Sequence, residues 1–165
     1  MTLIKSISGI RGTIGGLAGE GLTPPDVVKY VSAYGTWLKQ QQKGKVSVVI
    51  GRDARLSGEM VNNLAVSTLS ALGIDCVDVG LSTTPTVEVA VTELKAQGGI
   101  IITASHNPKQ WNALKLLNEK GEFINESDGA KVLAIAESAS FNYADVNKLG
   151  SISRRDDLLK LHIDK

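Results

Sequence analysis

Gly98–Lys109 reads GGIIITASHNPK, and the burial of its first half decides the fold. Ile100, Ile101 and Ile102 follow one another, so no position in the run is left to face water. A half-exposed strand alternates apolar and polar residues, whereas a strand covered on both faces reads as a continuous apolar run. The second half, Thr103-Ala104-Ser105-His106-Asn107 closed by Pro108, is a small polar knot at the end of that strand. It fits either a strand ending in a turn or a serine hydroxyl put on display.

Outward from this stretch the chain alternates strand and helix. Leu3–Ile10 reads as a first strand, followed by the glycine-rich GIRGTIGGLAGEG. Thr23 offers an N-cap with Pro24 at the first helical position, and Val27, Val31, Tyr34 and Leu38 recur at helical spacing to about Gln42. Val46–Ile50 is a β-branched run ending at Gly51-Arg52-Asp53. Ser57 can cap a second helix that Gly73 ends, Ile74–Val79 is a third strand, and a helix from Thr84 to about Lys95 leads into Ile100–Thr103. Apolar strands separated by helices predict an α/β fold, a three-layer α/β/α sandwich around a mainly parallel, mixed sheet. Leu114–Asn118 and Glu122–Ile124 flank the turn signal Glu119-Lys120-Gly121 and predict an antiparallel edge strand. A last helix is expected from Ser153-Arg154-Arg155-Asp156-Asp157 through Ile163. Because no cap follows it, residues 1–150 are expected to form one domain and residues 151–165 to begin a connection toward a second.

Composition narrows the function. A length of 165 residues, 42% apolar and 21% charged, suits one globular domain. A formal net charge of +1 gives no reason to expect nucleic acid or a membrane surface as partner. The opening MTLIKSISGIRG lacks the apolar core of a signal peptide, and the single cysteine, Cys76, has no internal partner, so the cytoplasm is the expected location.

In open α/β sheets ligands bind beyond the carboxyl ends of the strands. Three loops fall there: Ser8-Gly9-Ile10-Arg11-Gly12-Thr13, Gly51-Arg52-Asp53-Ala54-Arg55 and Thr103–Pro108. Together they carry three arginines, and guanidinium forks match phosphate. The bland alternative for Arg52, Asp53 and Arg55 is a local ion-pair cluster. The glycines match neither a Walker loop nor G-x-G-x-x-G. Ser105 is not in a G-x-S-x-G elbow, and adjacent Ser105 and His106 diverge in extended chain, so a hydrolase triad is not expected.

The knot TASHNP followed by Asn112-Ala113-Leu114-Lys115 resembles the phosphoserine loop of the α-D-phosphohexomutase family, close to T-A-S-H-N-P-x-x-x-N-G-x-K. Ser8-Gly9-Ile10-Arg11-Gly12 resembles the family's N-terminal S/T-x-G-x-R-G stretch, and Gly51-Arg52-Asp53-Ala54-Arg55 with Ser57-Gly58 resembles its G-x-D-x-R-x-S segment. The resemblance spans nearly the whole chain and covers the first of the family's four domains. It implies that Ser105 carries a phosphoryl group, also its only contact to a metal, and exchanges it with a hexose 1- or 6-phosphate through a hexose bisphosphate. It implies Arg11, His106 and Lys115 as further catalytic groups, with Arg52, Arg55, Thr103 and Asn107 binding phosphate. The general acid/base is Lys115 or His106, with Lys115 favoured; a free lysine titrates near 10.4 and an imidazole near 6.5, so the lysine needs the more tuning.

The family's Mg²⁺ is held by an aspartate loop, D-G-D-x-D-R, that this sequence lacks. The remaining domains of the same polypeptide are therefore expected partners, and the chain alone is expected to be inactive. A stand-alone sugar-phosphate binding module is the alternative. The threonine of TASHNP leans toward the glucose/mannose branch. Where the family has glycine this chain has Ala113, which predicts a negative φ there.

Overall fold

A computed structural model describes residues 1–7 and 9–165; Ser8, the first residue of the opening motif, lies outside them. Seven strands form one sheet: β1 (Ile4–Ser6), β2 (Gly9–Thr13), β3 (Ser47–Arg52), β4 (Asp75–Leu81), β5 (Gly98–Ile102), β6 (Trp111–Leu117) and β7 (Ile152–Arg154). The helices are α1 (Pro24–Gln41), α2 (Gly58–Ala71), α3 (Thr84–Glu93), α4 (Glu126–Ser138) and α5 (Leu158–Ile163). The sheet order is β1-β2-β6-β5-β3-β4-β7. From β5 to β7 neighbours run parallel, and from β1 to β5 antiparallel. Only β1 and β6 oppose the common direction, so the sheet is mixed and mainly parallel, with β1 as its antiparallel edge.

Alternation along the strands divides the core. Val48, Ile50, Cys76, Ile100, Ile102, Leu114 and Leu116 point to one side, where α1, α2 and α4 cover them. Val49, Val79, Ile101 and Leu117 point to the other, against Val87, Ala90 and Val91 of α3 and Leu158 of α5. Ile100, Ile101 and Ile102 are all buried, as a strand covered on both faces requires. Gly98 is there for space. A Cβ on it would lie 2.1 Å from the Tyr34 hydroxyl, which donates to the Leu117 carbonyl and accepts from the Gly99 N–H. Burial pushes that phenol well above its ordinary pKa. Thr23 and Ser57 stand at the N-caps of α1 and α2 as expected, and α3 is capped by Thr83, which was not singled out from sequence. Asp26 accepts the N–H of Thr23 at the start of α1, and Thr83 accepts that of Thr86 in α3. No helix among the described residues is long and apolar enough to cross a membrane.

Three expectations differ from the structure. Leu3–Ile10 is two strands, because β1 turns back onto β2 with Ser6 opposite Gly9. The stretch expected at the antiparallel edge is β6, which lies inside the sheet between β2 and β5. Its turn signal is real, since the Asn118 N–H donates to the Glu122 carbonyl and Gly121 takes φ 73°, but beyond it only Leu117 and Phe123 form a bridge. Ser153 and Arg154, expected to open the last helix, instead belong to β7 beside β4, and the helix starts at Leu158. The three β7 side chains are exposed, so no burial pattern marked them as a strand.

Candidate functional site

The carboxyl ends of β5 and β3 and the start of β6 meet at one edge of the sheet. The loop Thr103–Gln110 leaves β5 there and returns as β6. Ser105 is exposed at its tip and has φ 53°, the left-handed region in which a side chain is costly by about 1 kcal/mol. Its peptide is held from both sides. The Ser105 N–H donates to Thr103 Oγ1 at 3.1 Å, and its carbonyl accepts from Arg55 Nη2 at 2.6 Å. Asn107 folds back within the loop, its N–H and its side-chain amide both donating to the Ala104 carbonyl.

Arg55 and Asp53 come from the turn after β3. The Asp53 carboxylate accepts the Arg55 N–H at 3.1 Å, the Arg55 Nε–H at 3.3 Å and the Thr103 hydroxyl at 2.6 Å. Arg55 also reaches the Asn107, Pro108 and Trp111 carbonyls at 2.8, 2.9 and 3.1 Å. A second tie runs from Asn112, fully buried at the start of β6, whose amide donates to the Ser57 hydroxyl at the N-cap of α2. The two motifs that lie farther along the chain are thus bonded to each other at two points. Arg52 is half-buried beside them, with Nη1 donating to the Asp53 carbonyl at 3.3 Å. His106 is exposed next to Ser105.

Arg11 and Lys115 form a separate group. Arg11 is opposite Ala113 and Gly9 opposite Lys115 on neighbouring strands, which places Arg11 and Lys115 diagonally on one face of the sheet. They share a cleft of about 240 Å³ with Ser6, Gly9 and Ala113. The strands approach closely there, and a Cβ on Gly9 would lie 2.2 Å from the Leu114 carbonyl oxygen. The opening motif's first glycine is therefore a packing requirement. Arg11 is exposed, while Lys115 is half-buried with Nζ 5.9 Å from the centre of the Phe123 ring. No ion pair engages Arg11, Arg52 or Lys115 among the described residues. Ala113 is an ordinary strand residue, and the positive-φ side chains are Lys95, Ser105 and Ala139, so the departure from the family's glycine costs no left-handed strain.

Of the residues singled out from sequence, Ser105, Thr103, Asn107 and Arg55 are bonded into one loop, His106 and Arg52 adjoin it, and Arg11 and Lys115 lie on the sheet face. Sequence reasoning gave no site role to Asp53, Ser57 or Asn112, which hold that loop. Their signal was their place inside the two motifs.

Residues 3–143 match the family model for phosphoglucomutase/phosphomannomutase, alpha/beta/alpha domain I. The chain is 39% identical over 155 residues to a phosphoglucomutase/phosphomannomutase of Thermococcus kodakarensis, covering 93% of this chain and 34% of that protein. It is 33% identical over 155 residues to a phosphoglucosamine mutase of Nautilia profundicola, covering 94% and 34% respectively. A crystal structure of a phosphoglucomutase/phosphomannomutase family protein from Burkholderia thailandensis superposes with a TM-score of 0.79 at 26% identity, over 98% of this chain and 35% of that one. The chain thus spans about a third of the length of the curated relatives it matches.

Proposed function

We propose a reaction for this chain from one premise: it belongs to the phosphoglucomutase/phosphomannomutase family, as that family's α/β/α domain I. Within a longer polypeptide it is the domain that carries the transferable phosphate, on Ser105. Residues 151–165 fold against β4 and α3. The whole protein interconverts hexose 1-phosphate and hexose 6-phosphate, with glucose or mannose as the sugar. The observation that carries this reading is Ser105 itself, exposed at a strand end in a loop whose backbone is held while its side chain is left free.

The two half-reactions mirror each other. In the first, a hydroxyl oxygen of the hexose monophosphate attacks the phosphorus on Ser105. The new phosphorus–sugar oxygen bond forms as the phosphorus–Oγ bond breaks, Lys115 takes the hydroxyl proton, and the exposed Ser105 alkoxide takes a proton from solvent. The resulting bisphosphate turns over. Ser105 Oγ, giving its proton back to solvent, then attacks the other phosphate; the phosphorus–sugar oxygen bond breaks, Lys115 returns its proton to the departing sugar oxygen, and the isomeric monophosphate leaves. Phosphoryl transfer rests mainly on positioning and charge neutralisation. Arg11 supplies an uncommitted cation on the sheet face, Arg52 supplies a second at the loop, and His106 adjoins the phosphoserine.

Magnesium, which the family resemblance implies, is not fitted by this chain alone. No group of three or more His, Cys, Asp or Glu is placed to hold a metal ion among the described residues, and the Asp53 carboxylate is engaged by Arg55 and Thr103. Its carboxylate ligands belong to the other domains, with the Ser105 phosphate as this chain's one contribution.

Incubating the dephosphorylated full-length protein with glucose or mannose 1,6-bisphosphate and measuring intact mass tests the proposal. One added phosphoryl group, absent in Ser105→Ala, is expected. A native protein that gains none would refute it.

A further inference from the structure

The family pattern suggests that Arg55 binds the phosphate, but its donors are already used. A guanidinium has five N–H groups. Nε donates to Asp53, Nη1 to the Pro108 and Trp111 carbonyls, and Nη2 to the Ser105 and Asn107 carbonyls. The side chain is only 13% exposed, so no donor is turned to solvent in wait of an anion. Four of the five bonds end on the backbone of the serine loop or the strand that follows it.

Asp53 closes the arrangement. It fixes Arg55 through the Arg55 N–H and Nε, and it orients the Thr103 hydroxyl by accepting its proton. With its proton committed to Asp53, Thr103 Oγ1 presents a lone pair to the Ser105 N–H. Both sides of the Ser105 peptide therefore trace back to one carboxylate: the N–H through Thr103 and the carbonyl through Arg55. Neither route touches the Ser105 side chain. A residue held at φ 53° relaxes unless its surroundings over-determine it, and these bonds do so.

We infer that Asp53, Arg55 and Thr103 are positioning residues that lock Ser105 in its left-handed conformation so that Oγ faces the incoming phosphorus, and that Arg55 does not bind the transferring phosphate. The inference rests on Ser105 as the phosphate carrier. It separates three residues that fix geometry from Arg11 and Arg52, whose cations remain for the ligand.

The test is single-turnover uptake of phosphate from glucose 1,6-bisphosphate by dephosphorylated full-length enzyme, followed by intact mass across bisphosphate concentrations. Misplacing a reacting atom by about 1 Å costs roughly 100-fold in rate. Arg55→Lys and Thr103→Val are each expected to lower the maximal rate by about that factor, with the half-saturating concentration unchanged. Thr103→Ser keeps the hydroxyl and is expected to restore the native rate. A raised half-saturating concentration at native maximal rate in Arg55→Lys would overturn the inference, since that is the signature of a lost phosphate ligand. If Arg55→Lys does not fold, the Val and Ser pair at position 103 decides alone: equal rates for the two would overturn the inference. Native enzyme that takes up no phosphate would instead sink the parent reading, and the clamp's role with it. Native uptake matched by every variant would sink the clamp alone.

Discussion

The two halves of the sheet are finished differently. Across β5, β3 and β4 both faces are covered by helices, and Val49, Cys76, Ile100 and Ile101 are almost wholly enclosed. Across β2 and β6 one face packs Ile10, Leu114 and Leu116 against the helices, while the other carries exposed Arg11 and half-buried Lys115 beside an open cleft. The same contrast separates the arginines. Arg55 has every donor satisfied by its own chain, and Arg11 pairs with no acidic side chain among the described residues. A polar group that completes its bonds internally can only shape the protein, and one left incomplete can do work on a ligand. That distinction sorts the site better than residue type does.

The covered half should be the more sensitive to a change in ionisation. Burial, with a smaller contribution from the nearby Asp78 charge, pushes the Cys76 thiol from 9.0 up to about 12. A group whose folded pKa is raised contributes stability that is intact below its unfolded pKa and is lost as pH climbs toward the folded value. Between pH 8.5 and 10.5 the native chain should therefore lose about 2 kcal/mol more than Cys76→Ala, read from denaturant midpoints. Equal losses would mean that this half of the sheet admits water, and the contrast would fail. Comparing changes across pH removes the packing cost of the substitution itself, and the buried Tyr34 phenol is common to both proteins.

The open face should respond in binding and not in stability. Arg11→Ala is expected to raise the KM for hexose phosphate in the full-length enzyme about tenfold, the scale of one charge-assisted hydrogen bond near 1.4 kcal/mol. The unfolding free energy should change by less than about 0.5 kcal/mol. An unchanged KM together with a large loss of stability would place Arg11 with Arg55, among the groups that build the protein.

The covered half was also the legible half. Ile100–Ile102, the β-branched run at Val48–Ile50 and the capped helix starts announced themselves because burial on both faces leaves an unbroken apolar signature. The open half was read less well for a matching reason. The Gly9 that begins β2 was read as part of one long strand because its role, close approach to Leu114, leaves no hydrophobic trace. The position of β6 between β2 and β5 depends on pairing across nearly a hundred residues, and alternation within a strand carries no information about its neighbour. Exposed Ile152–Arg154 joined the sheet through its backbone ladder and one hydroxyl bond, from Ser153 to the Cys76 carbonyl, with no apolar burial to mark it. The motif residues were legible as a set, yet their division of labour was not. Which arginine faces a ligand and which spends its donors on carbonyls is fixed by three-dimensional distances of about 3 Å, and both look alike in sequence.

The smallest expected effect tests the loop that joins the halves. Ser105→Ala and Ser105→Gly both delete the hydroxyl, so both should lose phosphate uptake and neither differs in that respect. They differ in backbone freedom. Alanine keeps the penalty of φ 53°, and glycine does not. Ser105→Gly should therefore be more stable than Ser105→Ala by about 1 kcal/mol, less the greater entropy glycine gives the unfolded chain. The gap depends on the loop being pinned, so it should shrink when Arg55→Lys removes donors to the Ser105 and Asn107 carbonyls. If the two variants are equally stable in the native background, the loop relaxes to a negative φ once the hydroxyl is gone. The geometry at Ser105 would then belong to its side chain and not to the bonds from Arg55 and Thr103.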